Sequence, residues 1–295
     1  MTWIKKYNYI PSEFLFHKNS MEKDATPLYL GVELEVAGGG EDEENAQWIN
    51  EALGENNCYI MHDGSLRNAD GEVDGLEITT HPCTLEYHKS LNYKEVFEWL
   101  LNKNYKSDET DTCGLHVHIN RDYLGNTITK QYLNIAKLLY VVEKHWKNIS
   151  MIARRGNNSY SRNYSTGTAI DMFKLLSYAR EDEDSLYKYR AINLTHPHTV
   201  ELRMFKGTLN YNTFMATLEF VRNLVDFSKE SSLDKIENSN FIDIINYERN
   251  EFLDNYYKTR LKKREERKRK EKENRDATVI SNYFSVIVED SPCCC

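Results

Sequence analysis

The stretch GLHVHI at residues 114–119 alternates apolar residues with histidines, which is the period of a β-strand. Its apolar residues would lie on one face of the strand, and His116 and His118 on the other. Two further segments share this pattern, GVELEV at 31–36 and VELRM at 200–204. We therefore predict three strands that each lay an apolar row on a core and direct a polar pair the opposite way.

The polar positions of these strands carry acidic, basic or imidazole side chains, whereas exposed strand faces usually mix Thr, Lys and Gln. The pairs are Glu33 with Glu35, His116 with His118, and Glu201 with Arg203. For any one pair, a solvent-exposed strand face remains an open alternative. The three pairs together favour a functional site, because such sites gather titratable groups.

The composition is that of a soluble globular protein, with 40% hydrophobic and 28% charged residues among 295. The chain has no apolar run of about 18 residues, and its start lacks the apolar core of a secretory signal. We expect no membrane span and a cytoplasmic location. The six cysteines fit neither a disulfide framework nor a CxxC metal site, so we expect free thiols in the body of the chain. The role of the final CCC is left open.

Charge is distributed unevenly along the chain. Residues 258–275 contain eleven basic and four acidic residues, while the whole chain has a net charge of −8. The rest of the chain is therefore strongly acidic, and nucleic acid is not an expected partner of that part. The basic segment itself is open to two interpretations, a solvated helical segment or a polyanion site.

The predicted elements mix strands and helices without a regular βαβ rhythm, and a hairpin around THPH at 195–198 indicates antiparallel pairing. The fold class is therefore α+β. We expect strands at 28–37, 58–62, 75–82 and 114–119 and on both sides of THPH, and helices at 42–53, 92–103, 129–150, 170–181 and 210–228. Thr129 is the expected N-cap of the long helix. Residues 1–230 are predicted to form the catalytic domain, and 231–295 a helical, charged extension with a last strand, TVISNYFSVIVE, and the Cys tail.

Five acidic residues would face one another on this sheet. They are Glu33, Glu35, Asp63, Glu77 and Glu201. Buried like charges are costly unless a cation offsets them, so the pattern points to divalent metal. Mg²⁺ prefers oxygen ligands that it shares with substrate phosphates, while an imidazole among the carboxylates suits Mn²⁺ or Zn²⁺, or donates a hydrogen bond to phosphate.

A resemblance to a known family lies in the order and spacing of six motifs, each weak alone. They are GVELEV, DGS at 63–65, GLEITTHP at 75–82, GLHVH, RAINL at 190–194 and VELR. Over residues 30–228 the chain resembles the amidoligase family, distant relatives of glutamine synthetase and glutamate-cysteine ligase. The resemblance implies a curved, mostly antiparallel sheet of the glutamine synthetase type that binds ATP with Mg²⁺ or Mn²⁺. The implied reaction joins a carboxylate to an amine through an acyl phosphate, forming an amide or isopeptide bond.

The resemblance also implies roles for individual residues. The implied metal ligands are Glu33, Glu35, Glu77, His116 and Glu201. Arg203 would grip the transferred phosphoryl group, and His116 and Asn193 would contact the nucleotide. Asp63, His118 and Arg190 lie at matching positions and are the further catalytic candidates. The carboxylate and amine substrates, small molecules or peptides, cannot be carried over from the family.

The loop 153–168 is rich in Asn, Ser, Gly, Arg and Tyr and long enough to cover a site. As a lid it would bring Arg154, Arg155 and Arg162 toward the phosphates, with Arg155 the predicted cofactor contact; a plain surface loop is the alternative. Two other functions remain open. HxH strands also carry zinc sites in amidohydrolases, and a binding module could keep the sheet without catalysis.

Overall fold

The computed structural model describes residues 2–23, 25–108, 110, 112–156, 171–180 and 189–289, with side chains described to residue 278. The chain divides into two compact units between Asp254 and Asn255. Of the predicted lid, residues 157–168, including Arg162, lie outside the described residues, as do the last six residues with the Cys tail.

One sheet of seven strands forms the first unit's framework among the described residues, in the order β1-β3-β4-β2-β5-β7-β6. The strands are β1 (Ile4–Lys5), β2 (Leu30–Ala37), β3 (Cys58–Met61), β4 (Gly75–Thr80), β5 (Gly114–Asn120), β6 (Ile192–Asn193) and β7 (Thr199–Lys206). β1 and β3 are parallel, and every other pair of neighbours is antiparallel. The predicted α+β class and the β6–β7 hairpin are confirmed.

The described helices flank this sheet or follow it in the chain. They are α1 (Glu43–Leu53), α2 (Leu85–Ser90), α3 (Tyr93–Asn102), α4 (Arg121–Leu124), α5 (Ile128–Ala153), α6 (Met172–Arg180), α7 (Tyr211–Glu230), α8 (Leu233–Asn238), α9 (Phe241–Ile245) and α10 (Glu251–Glu289). Within the described part of the chain, no helix combines the length and apolar character needed to cross a bilayer.

The apolar row of each central strand lies in the core, as the alternation predicts. Nine residues of this row are at most 2% exposed: Leu30, Val32, Leu34, Val36, Leu115, Val117, Ile119, Val200 and Leu202. Phe205 of β7 packs edge-on against Phe220 of α7, which covers this face together with α5. Burial of each such side chain contributes about 1.5–3 kcal/mol, so this face fixes the sheet and leaves the opposite face for polar groups.

Two details differ from the sequence-based expectations. The expected last strand is the end of α10, because nothing between Glu251 and Glu289 breaks the helix and no Gly or Pro occurs there. The long helix is capped by Thr127, whose hydroxyl accepts from Lys130 N, and not by Thr129.

The division into compact units falls after residue 254, and the functional boundary expected at 230 stays a prediction. Residues that follow α7 are tied back to it: Asn223 Nδ2 donates to Ile245 O at 3.0 Å, and Leu253 N donates to Glu219 Oε2 at 2.8 Å. Ile244 of α9 is fully buried. α8 and α9 therefore belong to the first unit, and only the later part of α10 separates from it.

Candidate functional site

The cross-strand register brings the predicted polar pairs together on one sheet face. Glu35 lies opposite Glu77, Glu33 opposite His116, and His118 opposite Glu201. Side chains directly opposite in an antiparallel pair are about 5 Å apart at Cβ, so each pair is in contact range. The four strands β4, β2, β5 and β7 thus contribute one continuous polar surface.

The first group of metal-ligating side chains is the Glu33 cluster, which consists of Glu33, His116 and Glu201. One ligand atom from each lies within 4.8 Å of the others. His116 Nδ1 is 3.2 Å from Glu33 Oε2 and 3.5 Å from Glu201 Oε1. The imidazole therefore sits between two carboxylates of neighbouring strands.

The second group is the Glu35 cluster, which consists of Glu35, Asp63 and Glu77, again with ligand atoms within 4.8 Å of one another. Asp63 comes from the turn after β3, where its Oδ1 accepts from Ser65 N at 2.8 Å. Glu35 Oε2 accepts from Gly114 N at 2.5 Å. Asp63 was predicted as a site residue only from the order of the sequence motifs. In the structure the turn after β3 brings its carboxylate beside Glu35 and Glu77.

Gly114 leaves the space in which the His116 ring lies between the two clusters. A Cβ at Gly114 would be 2.7 Å from His116 Nε2 and 3.4 Å from Glu35 Oε2. His116 therefore directs Nδ1 toward the Glu33 cluster and Nε2 toward the Gly114 backbone, beside the Glu35 cluster. The sequence motif GLHVH contains this glycine, but the alternation argument gave it no role.

A β-bulge holds Arg203 beside the Glu33 cluster. Val117 pairs with Leu202 and Leu115 pairs with Phe205, so β7 contains one more residue than β5 between these two pairs. Such bulges redirect side chains. Arg203 Nη1 donates to Glu201 Oε1, and the charges of Glu201, Glu33 and Glu35 outweigh burial and raise the pKa of the guanidinium.

Glu201 is held by donors on both oxygens. Asn193 Nδ2 donates to its Oε2 at 2.6 Å, and His196 Nε2 lies 3.2 Å from the same oxygen. Buried Arg121 fixes the turn that carries His196, because its Nη2 donates to Leu194 O at 2.6 Å and its Nε to His196 O at 3.1 Å. His196 was not in the predicted set; the only available signal was its place in the hairpin turn THPH.

His118 contacts Glu33 at Oε1, the carboxylate oxygen that His116 does not approach. Its Nε2 is 3.0 Å from Glu33 Oε1, and its Nδ1 is 3.2 Å from Thr199 Oγ1. Burial lowers the pKa of His118, but the charge of Glu33 outweighs it and raises the pKa to about 9. The charge of Glu33 therefore favours the protonated form of His118, which would compensate that carboxylate.

The two clusters differ in their electrostatics. Burial raises the pKa of Glu35 and, together with the charges of Glu33 and Glu35, raises that of Glu77 well above its usual range. Burial also disfavours ionised Glu33 and Glu201, but imidazole partners outweigh it: His118 and His116 hold the pKa of Glu33 well below its usual range, and His196 and His118 lower that of Glu201 to about 2. In the Glu35 cluster the charges of His116 and Arg155 also lower the pKa of Glu35, but burial and the neighbouring carboxylates outweigh them.

The remaining predicted residues lie around this surface. Arg155 Nη2 donates to Cys113 O at 2.7 Å, and its charge lowers the pKa of Glu35, so it sits beside the Glu35 cluster. Arg154 Nη2 donates to Gly207 O at 3.0 Å. Arg190 is half-buried two residues before β6, and its catalytic role stays a prediction. The thiols of Cys58, Cys83 and Cys113 are free and buried.

The donor set fits hard divalent cations. Five carboxylates and one imidazole make up the two clusters, and oxygen-rich sets of this kind suit Mg²⁺ or Mn²⁺. Burial and mutual repulsion raise the pKa values of Glu35 and Glu77, and a bound cation would offset both effects. Such an arrangement can hold metal-bound phosphates beside a guanidinium.

Comparison with known proteins gives one family. No curated protein matches the chain. The family model described as putative amidoligase enzyme matches residues 26–225, which include all the residues of both clusters, Arg203 and His196. The chain therefore belongs to the amidoligase family.

Proposed function

We propose that this amidoligase is an ATP-dependent carboxylate-amine ligase that works through an acyl phosphate. The observation that carries the proposal is the pair of three-ligand clusters side by side on one sheet face, with Arg203 bound to a member of the Glu33 cluster. Family membership supports ligase chemistry, and the clusters supply what a phosphoryl transfer from ATP requires.

Divalent cations bound in the two clusters would neutralise phosphate charge and orient the γ-phosphoryl group. Glu33, His116 and Glu201 would hold one cation, and the carboxylates of the Glu35 cluster another. His118 and His116 favour the ionised form of Glu33, and His196 and His118 favour that of Glu201, which is the form that binds a cation.

Arg203 is the residue placed to stabilise charge during transfer. The side chain of Arg203 is about one-fifth exposed, and its Nη1 donates to Glu201 Oε1. A fixed guanidinium next to the transferred group stabilises the negative charge on its equatorial oxygens. Asn193 and His196 hold Glu201, and through Glu201 they position Arg203.

The proposed reaction has two steps. A substrate carboxylate oxygen attacks the γ-phosphorus of ATP, the bond to the bridging oxygen breaks, and ADP leaves. The amine then attacks the acyl carbon, inorganic phosphate leaves with the C–O bonding electrons, and the nitrogen loses its extra proton to solvent. Water must be kept from the acyl phosphate meanwhile, and Arg155, at the described end of the predicted lid, lies beside the Glu35 cluster.

A zinc-dependent amidohydrolase is the main rival, and the geometry of the HxH pair argues against it. In the described residues each cluster contains at most one histidine. His118 is engaged with Glu33 and Thr199, so it does not share a ligand position with His116. A hydrolytic zinc site usually takes several imidazole or thiolate ligands.

The experiment that tests the proposal combines the protein, ATP, Mg²⁺ or Mn²⁺ and pools of amino acids and peptides. ADP formation that depends on both a carboxylate and an amine, with products that weigh one water less than the sum of the two, is the expected result. Hydrolysis of amides in the absence of ATP would contradict the proposal and would support the amidohydrolase instead.

A further inference from the structure

A group of aromatic side chains lies on the same sheet face, next to the metal-ligating clusters. We call it the aromatic end; it consists of Tyr29, Tyr59 and His81 from the sheet region and Tyr9, Phe14 and Phe16 from the segment before it. The rings contact one another: Tyr9 and Tyr59 at 5.5 Å, Tyr59 and His81 at 5.6 Å, Phe14 and His81 at 6.3 Å, and Phe16 and Tyr29 at 5.0 Å between centroids.

Tyr59 connects the aromatic end to the clusters. It lies opposite Thr79, which lies opposite Glu33 on the next strand. Burial raises the pKa of its phenol, and the charges of Glu33 and Glu77, one from each cluster, raise it further. The aromatic rings therefore begin where the carboxylates end.

The order of groups along β2 is the central observation. Side chains at alternate positions of a strand share a face, so Glu35, Glu33 and residue 31 follow one another on the site face, and Tyr29, which directly precedes β2, continues this order. Residue 31 is Gly31, and a Cβ there would meet only His118 Cβ, at 3.5 Å. From Glu33 to Tyr29 the strand advances about 13 Å. The face thus presents carboxylates, then a bare segment, then rings.

We call residues 7–17 the arm; they supply half of the aromatic end. The arm lies outside residues 26–225, the part of the chain that matches the family model. Its rings are partly open: Tyr9 is 39%, Phe14 44% and Phe16 58% exposed. They are nevertheless held near the sheet, since Leu15 N donates to His81 Nδ1 at 3.3 Å and His17 N to Pro82 O at 2.9 Å. Half of the ring surface therefore comes from residues outside the family match.

We propose that the aromatic end binds the base of the nucleotide whose phosphates lie at the Glu33 cluster, an inference that rests on the proposed function. A nucleoside triphosphate has a polyanionic end, a sugar and a flat ring, and the site face has a cation-binding cluster, a bare segment and aromatic rings in the same order. Stacking of a base on an aromatic side chain strengthens binding by about 5- to 150-fold. The alternative occupant is an apolar side chain of the amine or carboxylate substrate. It would also contact the rings, but it gives no reason for the bare segment between the rings and the cluster.

The test compares two probes by isothermal titration calorimetry, MgATP and magnesium tripolyphosphate, which carries the phosphates without a base. In Gly31→Val the new side chain occupies the bare segment, and a β-branched residue suits a strand. We expect its affinity for MgATP to fall about tenfold or more, and its affinity for tripolyphosphate to change less than about twofold. Gly31→Ala is the matched control and should change MgATP binding by less than about threefold, because the Ala Cβ meets only an ordinary contact.

The double variant Phe14→Ala/Phe16→Ala tests the arm independently and removes exposed rings outside the core. It should weaken MgATP about tenfold and spare tripolyphosphate. Tyr7→Ala is its control, since Tyr7 lies on the same arm and is 75% exposed.

Three outcomes would overturn the inference. If wild-type protein binds both probes and the variants change both or neither, the aromatic end does not hold the base. If the double variant raises the KM of an amine or carboxylate substrate without affecting MgATP, the rings bind that substrate. If wild-type protein binds neither probe, the proposed function fails as well.

Discussion

Glu35 on β2 and Glu77 on β4 stand directly opposite each other in the antiparallel sheet, and the pKa values of both carboxyl groups are raised. Burial is the largest cause, and the negative neighbours add to it. Without a cation this pair opposes folding, because two desolvated carboxylates repel each other. This pair therefore lowers the free energy of unfolding of the metal-free protein, and a bound cation would offset that loss.

The first prediction removes this repulsion. Glu77→Gln should raise the melting temperature of the metal-free protein at pH 8 by about 2–4 °C, the shift that 1 kcal/mol produces in a chain of this size. The gain should shrink at pH 5, because a carboxyl whose folded pKa is raised destabilises above that pKa and is relieved as protonation begins. Scanning calorimetry in EDTA at both pH values measures it.

Glu98→Gln, on the exposed side of α3, is the matched control and should change neither value. Addition of Mg²⁺ at about 100 times its dissociation constant should stabilise wild-type protein by about 2.7 kcal/mol and should stabilise Glu77→Gln much less. A variant that melts lower than wild type in EDTA at pH 8 would contradict the repulsion argument.

The alternation of polar and apolar residues was enough to find the strands and most of the site. Glu33, Glu35, His116 and Glu201 are polar positions of strands whose apolar rows needed burial, so strand period and core formation together predicted their common face. Asp63 followed from the order of motifs, since its turn has no periodicity that could place it.

Other features depend on information that strand period does not contain. The bulge at Arg203 is a mismatch between two strands, visible only when β5 and β7 are paired. His196 reaches Glu201 because buried Arg121 binds the backbone of the turn. The end of α10 was mistaken for a strand, because the β-branched residues of TVISNYFSVIVE favour a strand locally while an unbroken helix precedes them.

The second prediction concerns charge stabilisation by Arg203. Arg203→Ala should lower the turnover number about a hundredfold or more, the usual effect of losing about 3 kcal/mol of transition-state stabilisation. Arg203→Lys should recover part of this loss, since it keeps the charge but loses the planar fork. Initial rates of ADP formation with saturating substrates measure the effect, and exposed Arg249→Ala is the control. Wild-type turnover in Arg203→Ala would remove the guanidinium from the mechanism.

The third prediction follows from the imidazolium of His118. Its folded pKa of about 9 lies above the ordinary histidine pKa of 6.5, so its interaction with Glu33 stabilises the fold fully below about pH 6.5, and this stabilisation is lost as the pH rises through 9. Urea unfolding of metal-free protein at pH 6, 7.5 and 9 should therefore show falling stability, and Glu33→Gln should flatten this fall. An unchanged pH dependence in Glu33→Gln would mean that His118 is not paired with Glu33.

The same Glu33→Gln variant should lose metal-dependent ATP binding while it remains folded. A neutral amide oxygen is a weaker ligand than a carboxylate for a hard divalent cation. Calorimetric titration with Mn²⁺, and then with MnATP, checks both steps. Metal affinity equal to that of wild type would show that Glu33 is not a ligand.

The last prediction uses Gly114, whose missing side chain leaves the space for the His116 ring. In Gly114→Ala the new Cβ would stand 2.7 Å from His116 Nε2, so the ring must turn away from Glu33 and Glu201. Misplacing a ligand or its support typically costs about 10–100-fold in metal affinity, and we expect a loss of that size for Mn²⁺ by calorimetry. Gly156→Ala, where a Cβ meets nothing within 4 Å, should bind metal like wild type. Circular dichroism separates local displacement from unfolding: an unfolded Gly114→Ala would show that the close approach supports the sheet, and a folded variant with full affinity would show that His116 does not bind the metal.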